Sequence, residues 1–71
     1  MPVARLMELR ENTDGSWEVR VRWRGPGEDG DKFEPLQNVY EDVPIMLQSF
    51  LRRKQIPSNL RSNAKAFLNI K

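Results

Sequence analysis

The stretch Trp17-Glu18-Val19-Arg20-Val21-Arg22-Trp23-Arg24 alternates apolar and charged residues without a break. Period two sets Trp17, Val19, Val21 and Trp23 on one face and the charged residues on the other, the mark of a strand buried on one side only. Such a strand needs paired neighbours and a cover for its apolar face, because two-stranded ribbons are marginal in water. The flanking sequence provides both.

Upstream, Asn12-Thr13-Asp14-Gly15-Ser16 is dense in turn formers, and Asp-Gly supplies the positive φ of a tight hairpin. Val3 to Arg10 is therefore expected as the first strand. Leu6, Met7 and Leu9 do not alternate strictly, which predicts a bulge or a bend there. Downstream, Gly25-Pro26-Gly27-Glu28-Asp29-Gly30-Asp31 reads as a turn, and Lys32-Phe33-Glu34-Pro35 as a short third strand that ends at its proline.

The cover is a helix. Asp42 is expected as its N-cap, with Pro44 in the first turn, where a missing N–H costs nothing. Val43, Met46, Leu47, Phe50, Leu51 and Lys54 follow the spacing of one helical face. Arg52, Arg53 and Lys54 are placed in the last turn, against the negative end of the helix dipole, and Ile56-Pro57 stops it. From Ser58 onward, Leu60, Ala64, Phe67 and Leu68 again have helical spacing. The residues leave open a short second helix or a frayed end. The division expected is a module over 1–55 and a basic extension over 56–71. The fold class is α+β: a three-stranded curled antiparallel sheet packed by a C-terminal helix.

A chain of 71 residues holds one small core. It contains no cysteine and no histidine, which excludes disulfides and the ordinary zinc sites. No apolar run approaches the ~20 residues that span a bilayer, so no membrane partner is expected. The chain reads as a domain of something longer. Its net charge of +2 is unevenly spread. Residues 1–43 carry six basic and all ten acidic side chains, whereas residues 44–71 carry six basic ones and no acid. Asymmetry of this kind suggests either a polyanion partner or a solvated tail.

Catalysis is not expected. Ser16, Ser49, Ser58 and Ser62 have no histidine to activate them. Glu28, Asp29 and Asp31 lack the spacing of a calcium loop and read as a solvated turn. No cofactor is implied. Trp23 has two readings. It shares parity with Val19 and Val21 and so belongs to the core, the reading that alternation favours, or it forms one wall of an aromatic box around a methylated ammonium. Phe33 and Phe50 are expected in the core. Arg20, Arg22 and Arg24, on the opposite face, form with Lys32 a candidate phosphate-contacting stripe or else an ordinary polar face, and with the basic 44–71 segment, Arg52, Arg53 and Lys54 included, they offer a DNA- or RNA-binding alternative.

Taken in order, Val19-Arg20-Val21-Arg22-Trp23-Arg24-Gly25, a short acidic loop, Phe33-Glu34-Pro35, Asn38-Val39 and the helix beginning near Val43-Pro44 resemble a chromodomain. The resemblance runs from about Val3 to Lys54. It implies an SH3-like curled sheet with the helix folded across it, and a histone tail bound as an added strand. On that resemblance, Trp23 matches the central cage aromatic, while Glu34 and Asn38 match groove residues that hold the peptide backbone. Two further cage aromatics are absent, since Pro26 and the Met1-Pro2 region stand at their places. The chain is thus similar to the cage-poor chromodomains at the C-terminal end of gypsy-type retroelement integrases. That likeness implies a nuclear module that tethers an integration complex to chromatin through a histone tail, another chromatin protein or nucleic acid. A chromoshadow-like role, with homodimerisation through the C-terminal helix, is the remaining alternative.

Overall fold

The computed structural model describes residues 3–24 and 30–70. Most of the expected turn after Arg24, including Pro26, Glu28 and Asp29, lies outside the described residues, as do Met1, Pro2 and Lys71. Strands β1 (Val3–Glu11), β2 (Trp17–Trp23) and β3 (Lys32–Pro35) form an antiparallel sheet in the order β1-β2-β3.

The irregularity of β1 has a direct cause. Leu6 pairs with Val21 and Leu9 with Val19, and all four are buried. Leu6 and Leu9 are an odd number of residues apart, so strict alternation would put them on opposite faces. A register shift between Leu6 and Glu8 inserts Met7 as an extra residue and returns Leu9 to the core face. A second shift between Val3 and Arg5 does the same for Ala4. Two bulges in one strand raise its local twist and curl the sheet. The hairpin between β1 and β2 closes as its residues dictate. Gly15 has φ 88°, the Asn12 N–H donates to Ser16 O at 2.8 Å, and Asp14 Oδ1 accepts from the Ser16 N–H at 2.9 Å.

The expected helix is present, but a further helix precedes it. Helix α1 (Leu36–Asp42) starts directly after Pro35, and α2 (Pro44–Leu51) follows it across Val43. Asp42 is thus the last residue of α1 and caps nothing. The residue before α2 is Val43, at φ −134° and ψ 66°, with no side-chain cap. The break belongs to Pro44, which disfavours helical geometry in the residue before it and lacks an N–H of its own. Helix α1 escaped the reading by sequence because its apolar signal is only two residues, Leu36 and Val39, both buried.

The C-terminal end of α2 also differs from expectation. The helix closes at Leu51, and Arg52, Arg53 and Lys54 lie beyond it. Arg52 and Arg53 N–H groups bond to Ser49 O and Phe50 O in a tightened final turn. Ser58 to Leu68 forms helix α3, ended by Asn69 in the left-handed conformation (φ 61°). The Ile70 N–H to Lys65 O bond completes a Schellman-type stop. Ile56, Ala64 and Leu68 join Leu6, Val19, Val21, Leu36, Leu47, Phe50 and Leu51 in one continuous core.

Phe33 is not part of that core. It pairs with Arg20, and paired residues share a face of the sheet, so it lies on the outer, charged side. There the Arg10 guanidinium sits 3.6 Å from its ring centroid.

Candidate functional site

Strand parity and the short helix α1 together build a cavity at one end of the sheet. Glu34 pairs with Val19 and therefore faces the apolar side of β3, away from the arginines. Trp23, at the end of β2, pairs with Val3 and is half-buried. Asn38 and Asp42 are four residues apart on α1, one above the other on a single helical face. These four polar or aromatic side chains, with the valines at positions 3, 21, 39 and 43, line a cavity of about 190 Å³.

All three residues that the resemblance marks as peptide-binding, Trp23, Glu34 and Asn38, are brought together here from β2, β3 and α1. Asp42 is the lining residue that sequence reasoning assigned elsewhere. A helix recognised over 36–42 would have placed it beside Asn38 by i, i+4 spacing alone. Trp23 is neither wholly in the core nor wholly free of it. It packs against the core from outside and presents a wall to the cavity.

Apolar walls, one indole, one amide and two carboxylates suit an aliphatic stem with a cationic tip. Among the described residues, the side chains of Glu34 and Asp42 have no hydrogen-bond or ion-pair partner. No described cluster of three or more acids is placed to hold a metal ion, and no helix is long and apolar enough to cross a membrane.

The opposite face of the sheet is a compensated network. Arg22 holds Asp31 with two bonds, Nε to Oδ1 at 3.0 Å and Nη2 to Oδ2 at 3.3 Å. Arg20 reaches Glu8 at 3.2 Å and Asp31 at 4.0 Å, and Arg10 reaches Glu18 at 2.6 Å. The hydrogen bond from Arg22 holds the Asp31 carboxyl below its ordinary value. Those from Arg10 and then Asn12 do the same for Glu18. Of the candidate phosphate-contacting residues, Arg20 and Arg22 thus face carboxylates, and Arg24 is exposed just past β2. Arg53 turns inward to donate to Leu6 O, Arg52 reaches Ser49 Oγ at 3.5 Å, and Lys54 is exposed. The structure does not gather them into one uncompensated surface.

Compared with known proteins, the chain matches no family model, no curated protein and no solved structure.

Proposed function

We propose that this chain is a chromodomain-type binding module without catalytic activity. Its task is to tether a larger protein, a retroelement integrase, to chromatin by holding a histone tail or a segment of another chromatin protein. The observation that carries the reading is the convergence of Trp23, Glu34 and Asn38 on one cavity, from three separate elements.

An extended segment would bind by β-augmentation. Main-chain bonds to an open sheet edge give affinity, and the cavity takes one side chain. Val3, on the edge strand β1, lines that cavity, so edge and pocket are continuous. A single indole contributes about 0.5–1 kcal/mol to holding a cation at an exposed site. That amounts to less than the ~1.4 kcal/mol needed for a tenfold preference, so methyl-lysine selectivity is weak or absent. Polyanion binding has less support, because carboxylates already face Arg20 and Arg22.

The test is a chemical-shift titration with a histone-tail peptide and, separately, with duplex DNA at low salt. The peptide is expected to move the Trp23 indole and the amides of Glu34 and Asn38. Shifts produced by DNA alone, centred on Arg24, Arg52 and Lys54, would replace this reading with nucleic-acid binding.

A further inference from the structure

We infer that the cavity selects a side chain whose cation still carries N–H groups, the ammonium of lysine or the guanidinium of arginine, over trimethyl-lysine; this rests on the peptide-binding reading above. The inference comes from how the chain distributes its acids. Glu8, Glu18 and Asp31 face arginines, Asp14 accepts bonds from Ser16, and Glu41 accepts one from Gln37. Of the other described acids, Glu11, Glu34 and Asp42 have no such partner; Glu11 is exposed at the end of β1, whereas Glu34 and Asp42 line the cavity. Among the described residues, no lysine or arginine lines it with them. The cavity therefore presents negative charge that a cationic side chain can neutralise.

The form of that charge follows from geometry. A trimethylated ammonium has no donor and relies on aromatic faces around it. Trp23 is the one ring among the described residues lining the cavity. Carboxylates act best on N–H groups, which approach to about 2.7–2.9 Å in charge-assisted hydrogen bonds. Methyl groups hold the same charge farther off. Apolar walls from Val21 and Val39 then suit the methylene stem that lysine and arginine share. The volume of about 190 Å³ equals roughly six waters at ~30 Å³ each, space for such a stem and its tip.

Glu34 and Asp42 hold no other described residue by hydrogen bond or ion pair, so neutralising either should weaken binding without weakening the fold, a separation that a merely structural residue does not produce.

The experiment uses a short host peptide of alanine and threonine with one central variable residue: lysine, arginine, trimethyl-lysine or norleucine. Binding is followed at the Trp23 indole N–H. Lysine and arginine peptides are expected to bind about tenfold more tightly than norleucine, and about threefold more tightly than trimethyl-lysine. Glu34→Gln and Asp42→Asn should each reduce affinity for the lysine peptide about tenfold, with a melting temperature unchanged or raised. Equal or tighter binding of trimethyl-lysine, or of norleucine, overturns the inference. Equal shifts from all four peptides at Trp23, Glu34 and Asn38 leave the peptide-binding reading standing and sink this one. No shift there from any peptide removes both.

Discussion

Arg53 Nη1 donates a hydrogen bond to the carbonyl oxygen of Leu6 at 3.0 Å, across 47 positions of the chain. The acceptor lies where the register of β1 shifts, between Leu6 and Glu8, so the bond ties the bulged strand to the turn after α2. A bulge disrupts the local ladder, and a carbonyl beside it benefits from a donor drawn from elsewhere.

Arg53→Ala is therefore expected to lower stability. A hydrogen bond to a charged donor contributes about 1.5–3 kcal/mol, and partial exposure of the pair puts the loss near the lower bound. With about 4–8 °C per kcal/mol for a domain of this size, the melting temperature should fall by roughly 6–12 °C. Arg53→Lys should recover only part of it, because a point charge does not reproduce the guanidinium's fixed donor geometry. Circular dichroism melts of the three proteins decide the matter. An unchanged melting temperature for Arg53→Ala would make the contact incidental.

Acid should loosen the outer face of the sheet first. Arg22 depresses the folded-state pKa of Asp31 below 3.8, and Arg10 that of Glu18 below 4.5. A depressed carboxyl contributes stability that is present above its unfolded pKa and is lost as pH falls through the folded value. Melting temperature is thus expected to be level from pH 7 to about 5, then to decline below pH 4. Asp31→Asn removes one of these groups and should make the acid decline shallower. A decline of the same depth in that variant would assign acid sensitivity to other groups.

Two phenylalanines that look alike in sequence should behave differently. Phe50 is fully buried, and its replacement by alanine is expected to cost about 3–5 kcal/mol. That is a large share of what a small domain possesses. Phe33 lies half-buried on the outer face beneath Arg10. Phe33→Ala should forfeit a cation–π contact of about 0.5–1 kcal/mol together with modest area. Urea midpoints measure both, and comparable losses at the two positions would contradict the placement of Phe33 outside the core.

What was legible before the structure, and what was not, follows from where the physical signal is local. The Trp17–Trp23 alternation, the Asp14-Gly15 turn and the break in the Leu6–Leu9 pattern are properties of adjacent residues, and each appears in the fold as read. The face taken by Phe33 depends instead on its pairing with Arg20 across β3 and β2, which no pattern within four residues reveals. Asp42 shows a related limit. Asp-Val-Pro is a good helix start, yet Leu36 and Val39 find burial that carries an earlier helix through Asp42. The same shift moves Asp42 into the cavity beside Glu34. Reading Trp23, Glu34 and Asn38 as neighbours came from the chromodomain resemblance rather than from spacing, since they belong to three elements.

Residues 56–71 are where sequence left both order and frayed ends open, and their packing can be tested by removing them. Helix α3 buries Ala64 and Leu68, and its Phe67 ring lies 6.3 Å from that of Trp17, tilted by 41°. Its Arg61 donates to Leu51 O, the last carbonyl of α2, at 2.6 Å and to Ile56 O, in the connection to α3, at 3.2 Å. A buried leucine contributes about 1.5–3 kcal/mol, and each bond from a charged donor about 1.5–3. Together these approach the whole stability of a small domain, at about 0.05–0.15 kcal/mol per residue. A chain ending at Pro57 is therefore expected to lose cooperative urea unfolding and dispersed amide resonances, even though every strand remains. If that shortened chain instead unfolds at the same midpoint as the full one, residues 1–57 stabilise themselves and α3 is an appendage resting on a finished core.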